Sequence, residues 1–190
     1  GAFGGGAGVE AVRVVGRVER LEELREIAAS RGGAKVRDTI AGGAERQDSV
    51  RAGLAALPPD CDFVAVHDAA RPLVRPTEIE RVYEAAQRHG AAALAAPVTD
   101  TLKRANAALM VTASVERAGL FAMQTPQIFA RDLLEQAYAK VRAEGLSITD
   151  EVSAVQNLGH GVVLVPNDAP NFKLTFPADL ALAESVLRSR

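Results

Sequence analysis

Short apolar segments alternate with longer segments in which apolar residues recur at helical spacing, and this alternation runs along the whole chain. The short segments, which predict strands, are 11–15, 35–40, 63–66, 91–98 and 162–165. Strands that are joined through helices usually pair in parallel, with the helices packed on the faces of the sheet. The alternation therefore predicts an α/β fold with a mostly parallel sheet.

Composition and charge exclude several classes of protein. The 22 Lys+Arg and 24 Asp+Glu residues leave a formal net charge of -2, so we expect no nucleic-acid partner. No uncharged apolar run approaches the roughly 18 residues that a membrane helix needs, so we expect no membrane partner. The single cysteine, Cys61, cannot form an internal disulfide, which favours a cytoplasmic location. No change of composition marks a linker, so the 190 residues predict a single domain.

Two polar segments follow predicted strands, where open parallel sheets bind their ligands. Gly42 and Gly43 allow a close backbone approach, and Ser49 lies near the start of the next helix. An ordinary turn before a helix explains this pattern slightly better than a ligand site does. Asp68 and Arg71 are separated by two small residues that leave room for a ligand, although a structural salt bridge would show the same pattern.

Further polar residues follow the later strands. They are Thr101, Lys103, Arg104, Arg117, Thr125, Thr149 and Lys173. Each has an ordinary explanation when taken alone, such as a solvated basic face, a helix cap or the outer side of an edge strand. Their recurrence at successive strand ends favours a site for an anion. The three histidines are too widely spaced to suggest a metal centre.

Six segments, taken in order, resemble one enzyme family. They read GGAERQDSV, VHDAARPLV, APVTDTLKR, ERAGLFAMQTPQIF, ITDE and NFKLTFPADLALAE. In this order they are similar to the 2-C-methyl-D-erythritol 4-phosphate cytidylyltransferase family, from the first strand to the C-terminal helix. HDAARP alone also occurs in related sugar-phosphate cytidylyltransferases, whereas the ordered set with ITDE and the lysine-bearing segment is more specific.

The resemblance implies a reaction and a fold. A phosphate oxygen of methylerythritol phosphate attacks the α-phosphorus of CTP, pyrophosphate leaves, and a CDP-linked methylerythritol forms for non-mevalonate isoprenoid biosynthesis. The implied partners are CTP and a sugar-alcohol phosphate, with Mg²⁺ as the cofactor that neutralises the triphosphate. The implied fold is a Rossmann-like, mostly parallel sheet with helices on both faces and a protruding β-arm.

The resemblance also assigns roles to residues of this sequence. The residues implied to bind the nucleotide are Gly42, Gly43, Ser49, Asp68 and Ala69. Those implied to bind the sugar-alcohol phosphate are Asp68, Arg71, Thr101, Arg117, Thr125, Thr149 and Lys173. Arg117 and Lys173 are the implied catalytic residues, because a guanidinium and an ammonium suit the attacking phosphate. Asp68 is the implied neighbour of the metal ion, which is held mainly by phosphates.

Residues 101–129 resemble the family's β-arm, through which two subunits interlock. The resemblance therefore implies a homodimer, in which Thr101 and Arg117 serve the pocket of the neighbouring subunit.

The chain departs from the family pattern at two places. Ala44 stands where an acidic residue often follows the glycine pair. The family's first strand and its P-A-A-G-x-G-x-R loop have no counterpart, because the opening GAFGGGAG contains no arginine or lysine. We therefore expect residues 1–190 to form a nucleotidyltransferase-like domain that is N-terminally incomplete. In this form it should bind CTP weakly and release little pyrophosphate.

Three other interpretations stay open on the sequence alone. One is a cytidylyltransferase that acts on ribitol phosphate instead. Another is a non-catalytic dimeric binding protein that kept the substrate half and lost the triphosphate loop. The third, a generic receiver-like α/β domain, would explain neither the β-arm segment nor Lys173.

Overall fold

The structure, a computed structural model, describes residue 3 and residues 8–190. The strands are β1 (Val12–Gly16), β2 (Val36–Ala41), β3 (Phe63–Val66), β4 (Ala91–Pro97), β5 (Leu102–Ala105), β6 (Val111–Val115), β7 (Phe121–Ala130) and β8 (Val163–Pro166). The helices are α1 (Leu21–Arg31), α2 (Arg46–Ala55), α3 (Pro76–His89), α4 (Arg131–Glu144), α5 (Glu151–Asn157) and α6 (Pro177–Arg188). All five strands predicted from the apolar segments are present, each within one residue of its predicted bounds.

The central sheet contains four strands in the order β3-β7-β4-β8. β4 pairs in parallel with β8, whereas β7 runs antiparallel to both β3 and β4. Three of the four strands therefore share one direction, which confirms the mostly parallel sheet with β7 as the exception. β1 and β2 form a separate parallel pair.

The region predicted as a β-arm divides into two parts. β5 and β6 form an antiparallel hairpin, whereas β7 returns to the central sheet and pairs with β3 and β4. We call residues 102–115, which make up the hairpin and its turn, the arm. The arm is shorter than the predicted 101–129 because β7 carries apolar residues that pack inside the domain.

The tip of the arm is apolar and exposed. Leu109, Met110 and Val111 are 85%, 65% and 65% exposed. The side chain of Asn106 accepts hydrogen bonds from the backbone N–H groups of Ala108 and Met110, both at 3.0 Å. This turn holds Leu109 at a φ of 60°, in the left-handed region that side chains other than glycine rarely adopt.

The core lies on both faces of β4. Ala91 and Ala93 are fully buried in a cluster that includes side chains of α4 and α5. Ala92 and Leu94 are equally buried, in a second cluster with side chains of α3. Because successive side chains of a strand point to opposite faces, the two clusters confirm that helices cover both sides of the sheet. None of the helices in the described part of the chain is long and apolar enough to span a membrane.

Candidate functional site

The loop after β3 brings two distant segments together. Asp68 is the second residue after β3, and its carbonyl oxygen accepts a hydrogen bond from the backbone N–H of Arg71 at 2.9 Å. The N–H of Leu174 donates to the carbonyl of Ala70 at 2.8 Å. The segment that carries Lys173 therefore lies beside the Asp68 loop, although about a hundred residues separate them in the chain.

Asp68 lies between two cations. Nζ of Lys173 donates to Oδ2 at 3.0 Å, and Nη2 of Arg46 lies 3.5 Å from Oδ1. Burial opposes ionisation of this carboxyl, but the hydrogen bond from Lys173 and the charges of Lys173 and Arg46 outweigh it and lower the pKa of Asp68. The site therefore offers a carboxylate that can accept hydroxyl groups beside a half-exposed lysine that can bind phosphate.

Arg71 braces this arrangement through its guanidinium. Nη1 donates to the carbonyl oxygen of Asn171 at 2.8 Å, and Nη2 donates to the carbonyl oxygen of Met123 at 3.3 Å. These bonds tie the loop after β3 to β7 and to the segment that precedes Lys173. Arg71 therefore contributes to the site first by holding Asp68 and Lys173 side by side.

Thr125 orients the backbone at Asp68. Its Oγ1 accepts the Asp68 N–H at 3.0 Å and lies 3.1 Å from Nδ1 of His67, whose Nε2 lies 3.0 Å from the carbonyl oxygen of Arg71. A carbonyl oxygen can only accept, so Nε2 carries the hydrogen and the Thr125 hydroxyl donates to Nδ1. Burial lowers the pKa of His67, which favours this neutral imidazole. The Thr125 hydroxyl therefore already donates its hydrogen to His67 of the same chain.

An ion pair between the exposed Arg46 and the buried Glu151 lies behind Asp68. Nη1 and Nη2 of Arg46 donate to the two carboxylate oxygens of Glu151 at 2.7 and 2.8 Å, and the hydroxyl of Tyr138 donates to Oε1 at 2.8 Å. Glu151 is fully buried, so these hydrogen bonds replace its hydration. Burial opposes the charge on Arg46, but the hydrogen bond and charge of Glu151 prevail and raise the pKa of Arg46.

Sequence reasoning missed both members of this pair. Arg46 lies in the segment GGAERQDSV and Glu151 in ITDE, yet neither side chain was assigned a role. Both residues are charged and lie in segments that carry the family resemblance, and this was the available signal. Only the fold shows that the glutamate is buried. We use the name strand-end cluster for the set Arg46, Asp68, Arg71, Thr125, Glu151 and Lys173.

Thr149 immediately precedes the cap of α5. Asp150 accepts the backbone N–H of Ser153 at 2.9 Å, and Gln127 of β7 donates to Asp150 at 3.1 Å. Thr149 itself is exposed, with its hydroxyl 3.3 Å from that of Ser153. The cap places Glu151 in the first turn of α5 and leaves the Thr149 hydroxyl accessible to a ligand.

The glycine pair lies tightly against the start of α2. The N–H of Gly43 donates to Oγ of Ser49 at 3.2 Å, and a Cβ on Gly42 would lie 2.5 Å from the same oxygen. The Ser49 hydroxyl thus stabilises the turn, and it fits there because Gly42 has no side chain. Arg46, in the first turn of the same helix, lies near Asp68, so the strand ends predicted to share one edge do converge.

Thr101 and Arg117 stand apart from the strand-end cluster. Both are exposed and flank the arm, and the guanidinium of Arg117 donates to the carbonyl oxygen of Thr99. Within residues 8–190, no hydrogen bond or ion pair joins either residue to Asp68 or Lys173. A single chain therefore assembles only part of the predicted phosphate site.

The donor set limits how a metal ion could be held. Among the described side chains, no group of three or more His, Cys, Asp or Glu residues is arranged around a common point. Asp68 is a single carboxylate with a cation near each of its oxygens. A divalent cation here could take one protein ligand at most, which fits Mg²⁺ that arrives with phosphates but not a protein-built metal centre.

Comparison with known proteins identifies the family. The chain matches the family described as 2-C-methyl-D-erythritol 4-phosphate cytidylyltransferase over residues 2–189. The protein of that name from Salinibacter ruber is 42% identical over 167 residues, which make up 88% of this chain and 70% of that protein. The protein of that name from Halalkalibacterium halodurans is 41% identical over 179 residues, or 94% of this chain and 78% of that protein.

Solved structures show the same architecture. The 2-C-methyl-D-erythritol 4-phosphate cytidylyltransferase of Thermus thermophilus is 35% identical with a TM-score of 0.78, over 94% of this chain and 99% of that one. The 4-diphosphocytidyl-2C-methyl-D-erythritol synthase of Anaerococcus prevotii has a TM-score of 0.88 over 98% of this chain and 82% of that one. Its identity of 23% makes it evidence for the Rossmann-like fold alone. The family match and the relatives together establish that this chain belongs to the 2-C-methyl-D-erythritol 4-phosphate cytidylyltransferase family.

Proposed function

We propose that this protein is an enzyme that joins CTP and 2-C-methyl-D-erythritol 4-phosphate in the cytoplasm, as a step of non-mevalonate isoprenoid biosynthesis. A phosphate oxygen of the substrate forms a new bond to the α-phosphorus of CTP, the bond to the bridging oxygen breaks, and pyrophosphate leaves. The observation that carries the proposal is the position of Asp68 between Lys173 and Arg46 in a member of this family.

Lys173 and Asp68 bind different parts of the sugar-alcohol phosphate: the lysine binds the phosphate, and the carboxylate binds the hydroxyl groups. When the ligand binds, the Lys173 ammonium turns from Asp68 to the phosphate, and Asp68 accepts hydroxyl groups in its place. The lysine is half exposed, so this exchange needs only a rotation of its side chain. Thr149 adds an exposed hydroxyl, whereas Arg71 and Thr125 contribute by holding the Asp68 loop.

The nucleotide is proposed to bind along the glycine pair and the loop after β3. Gly42 and Gly43 present backbone without side chains, and Ala69 is exposed with a methyl group that leaves room for a ligand. Ser49 acts mainly by shaping this turn, because its hydroxyl already bonds within it. Mg²⁺ would enter with the triphosphate, and Asp68 could supply one ligand after Lys173 has turned away.

A homodimer is part of the proposal, because in the part of the chain that the structure describes no hydrogen bond or ion pair links Thr101 or Arg117 to the strand-end cluster. The arm, whose base these residues flank, ends in an exposed apolar tip, as expected of a segment that packs on another chain. We propose that Arg117 of one subunit and Lys173 of the other position the attacking phosphate together. Two cations from different chains would then hold one phosphate dianion.

The experiment is an assay of pyrophosphate release with CTP, Mg²⁺ and either methylerythritol phosphate or ribitol phosphate. It uses this chain and any longer product of the same reading frame. We expect release to be at least about tenfold faster with methylerythritol phosphate. A preference for ribitol phosphate would favour the pentitol enzyme instead. Binding of both substrates without release from either chain would favour the non-catalytic binding protein.

A further inference from the structure

The guanidinium of Arg46 is bound to one carboxylate while it lies near another. Its Nη2 is 2.8 Å from Oε2 of Glu151 and 3.5 Å from Oδ1 of Asp68. A hydrogen bond between two charged groups is about 2.7–2.9 Å long, so Arg46 is hydrogen-bonded to Glu151 and not to Asp68. The two acids therefore compete for one cation, and Glu151 holds it.

Burial explains why Glu151 prevails. Its side chain has no exposed surface, whereas 19% of the Asp68 side chain is exposed and a second cation, Lys173, already pairs with it. If Arg46 moved to Asp68, it would leave a fully buried carboxylate with Tyr138 as its remaining hydrogen-bond donor. An unpaired buried charge is costly, so the fold keeps Arg46 on Glu151.

This geometry leaves Oδ1 of Asp68 without a direct hydrogen bond from Arg46. The other oxygen, Oδ2, accepts from Lys173, which turns away in the proposed binding step. We propose that Glu151 is a positioning residue: its carboxylate keeps Arg46 from closing onto Asp68 and leaves Oδ1 open to a hydroxyl group of the substrate. The inference rests on the proposed function for the identity of that substrate.

The first test is a crystal structure of the Glu151→Gln variant, which keeps the side-chain shape and removes the charge. We expect Arg46 to move by less than about 1 Å and to bond directly to Asp68, with an N–O distance of about 2.8 Å. Tyr138→Phe is the matched control, because it removes one hydrogen bond from Glu151 and keeps its charge. There Arg46 should stay on Glu151. If Arg46 remains on the neutral amide at position 151, the inference is wrong.

The second test measures binding of 2-C-methyl-D-erythritol 4-phosphate by calorimetry. Glu151→Gln should weaken binding about tenfold, because Arg46 then occupies the oxygen that the substrate needs. Tyr138→Phe should stay within about twofold of the unmodified chain. Arg46→Gln combined with Glu151→Gln should regain most of the lost affinity, since no cation remains to close onto Asp68. A purely structural role predicts that this double variant binds more weakly than the single one.

The two tests separate the inference from the proposed function. If the unmodified chain does not bind the substrate, the proposed function fails, while the Arg46–Asp68 distance in the variant still decides the inference. If Glu151→Gln does not fold, the double variant replaces it, because it leaves no buried unpaired charge. In that case affinity within about threefold of the unmodified chain supports the inference, and a tenfold loss overturns it.

Discussion

The strand-end cluster and the arm differ in where their geometry comes from. In the cluster, Asp68 is held by contacts from three distant segments, which carry Lys173 at 3.0 Å, Thr125 at 3.0 Å and Arg46 at 3.5 Å. In the arm, the described hydrogen bonds are local, as between Lys103 and Ser114 across the hairpin. The tertiary fold therefore positions the side chains of the strand-end cluster, whereas contacts between its own two strands position those of the arm.

The difference indicates which functional residues need a second chain. Lys173 pairs with Asp68 of the strand-end cluster, whereas the Arg117 guanidinium, within residues 8–190, donates only to the carbonyl of Thr99. At the base of the arm, this exposed cation has no side chain among the described residues that directs it toward a phosphate. The comparison therefore predicts that the two cations of the proposed phosphate site come from different chains, although both act on one phosphate.

The largest expected effect tests that shared action. In a chain that includes the triphosphate loop, Lys173→Ala and Arg117→Ala should each reduce turnover about a hundredfold, because each removes a fixed cation facing the attacking phosphate. Mixing the two inactive variants should restore about one quarter of the activity, since a twofold dimer then contains one intact site in half of the molecules. The measurement is pyrophosphate release after the variants have been co-refolded.

Absence of complementation would show that both cations come from the same chain. The prediction that Lys173 and Arg117 act from different chains would then be wrong. Refolding each variant with the unmodified chain controls for loss of protein during mixing.

The next effect concerns stability. Arg46→Ala should lower the free energy of unfolding by about 2–3 kcal/mol, because it leaves Glu151 buried without a cation. Arg117→Ala, an equal truncation on the arm side, should change it by less than about 0.5 kcal/mol. Urea denaturation of both variants measures the difference. Equal losses would mean that the arm is as tightly integrated into the fold as the cluster.

The smallest effect concerns assembly. Replacing both Leu109 and Met110 by serine should weaken the proposed dimer about 10- to 100-fold, because each exposed side chain would lose the apolar contact that we propose it makes with the partner. Leu180→Ser is the control, since Leu180 is also exposed but lies on α6. Sedimentation equilibrium measures the dissociation constant. A dimer that tolerates the arm-tip change and not the control change would place the interface on α6.

The sequence predicted the main strands well but misplaced the end of the arm. Residues 63–66 and 91–97 were recognisable because continuous apolar side chains have few alternatives to a buried strand. The family resemblance placed β7 in the arm, and Gln124, Thr125 and Gln127 interrupt the apolar pattern that would have predicted a buried strand. In the structure these polar side chains are satisfied by partners from other segments, such as Asp150, so the strand can be buried. Periodicity cannot show where such partners come from.

The sequence by itself determined the order of strands and helices, the glycine turn and the family to which the chain belongs, because these depend on local patterns and on motifs in series. Only the tertiary structure decided that Arg46 bonds to Glu151 and merely approaches Asp68. Which of two carboxylates holds a cation depends on how deeply each is buried and which donors surround it. Burial and donors are set by segments that meet only when the chain has folded.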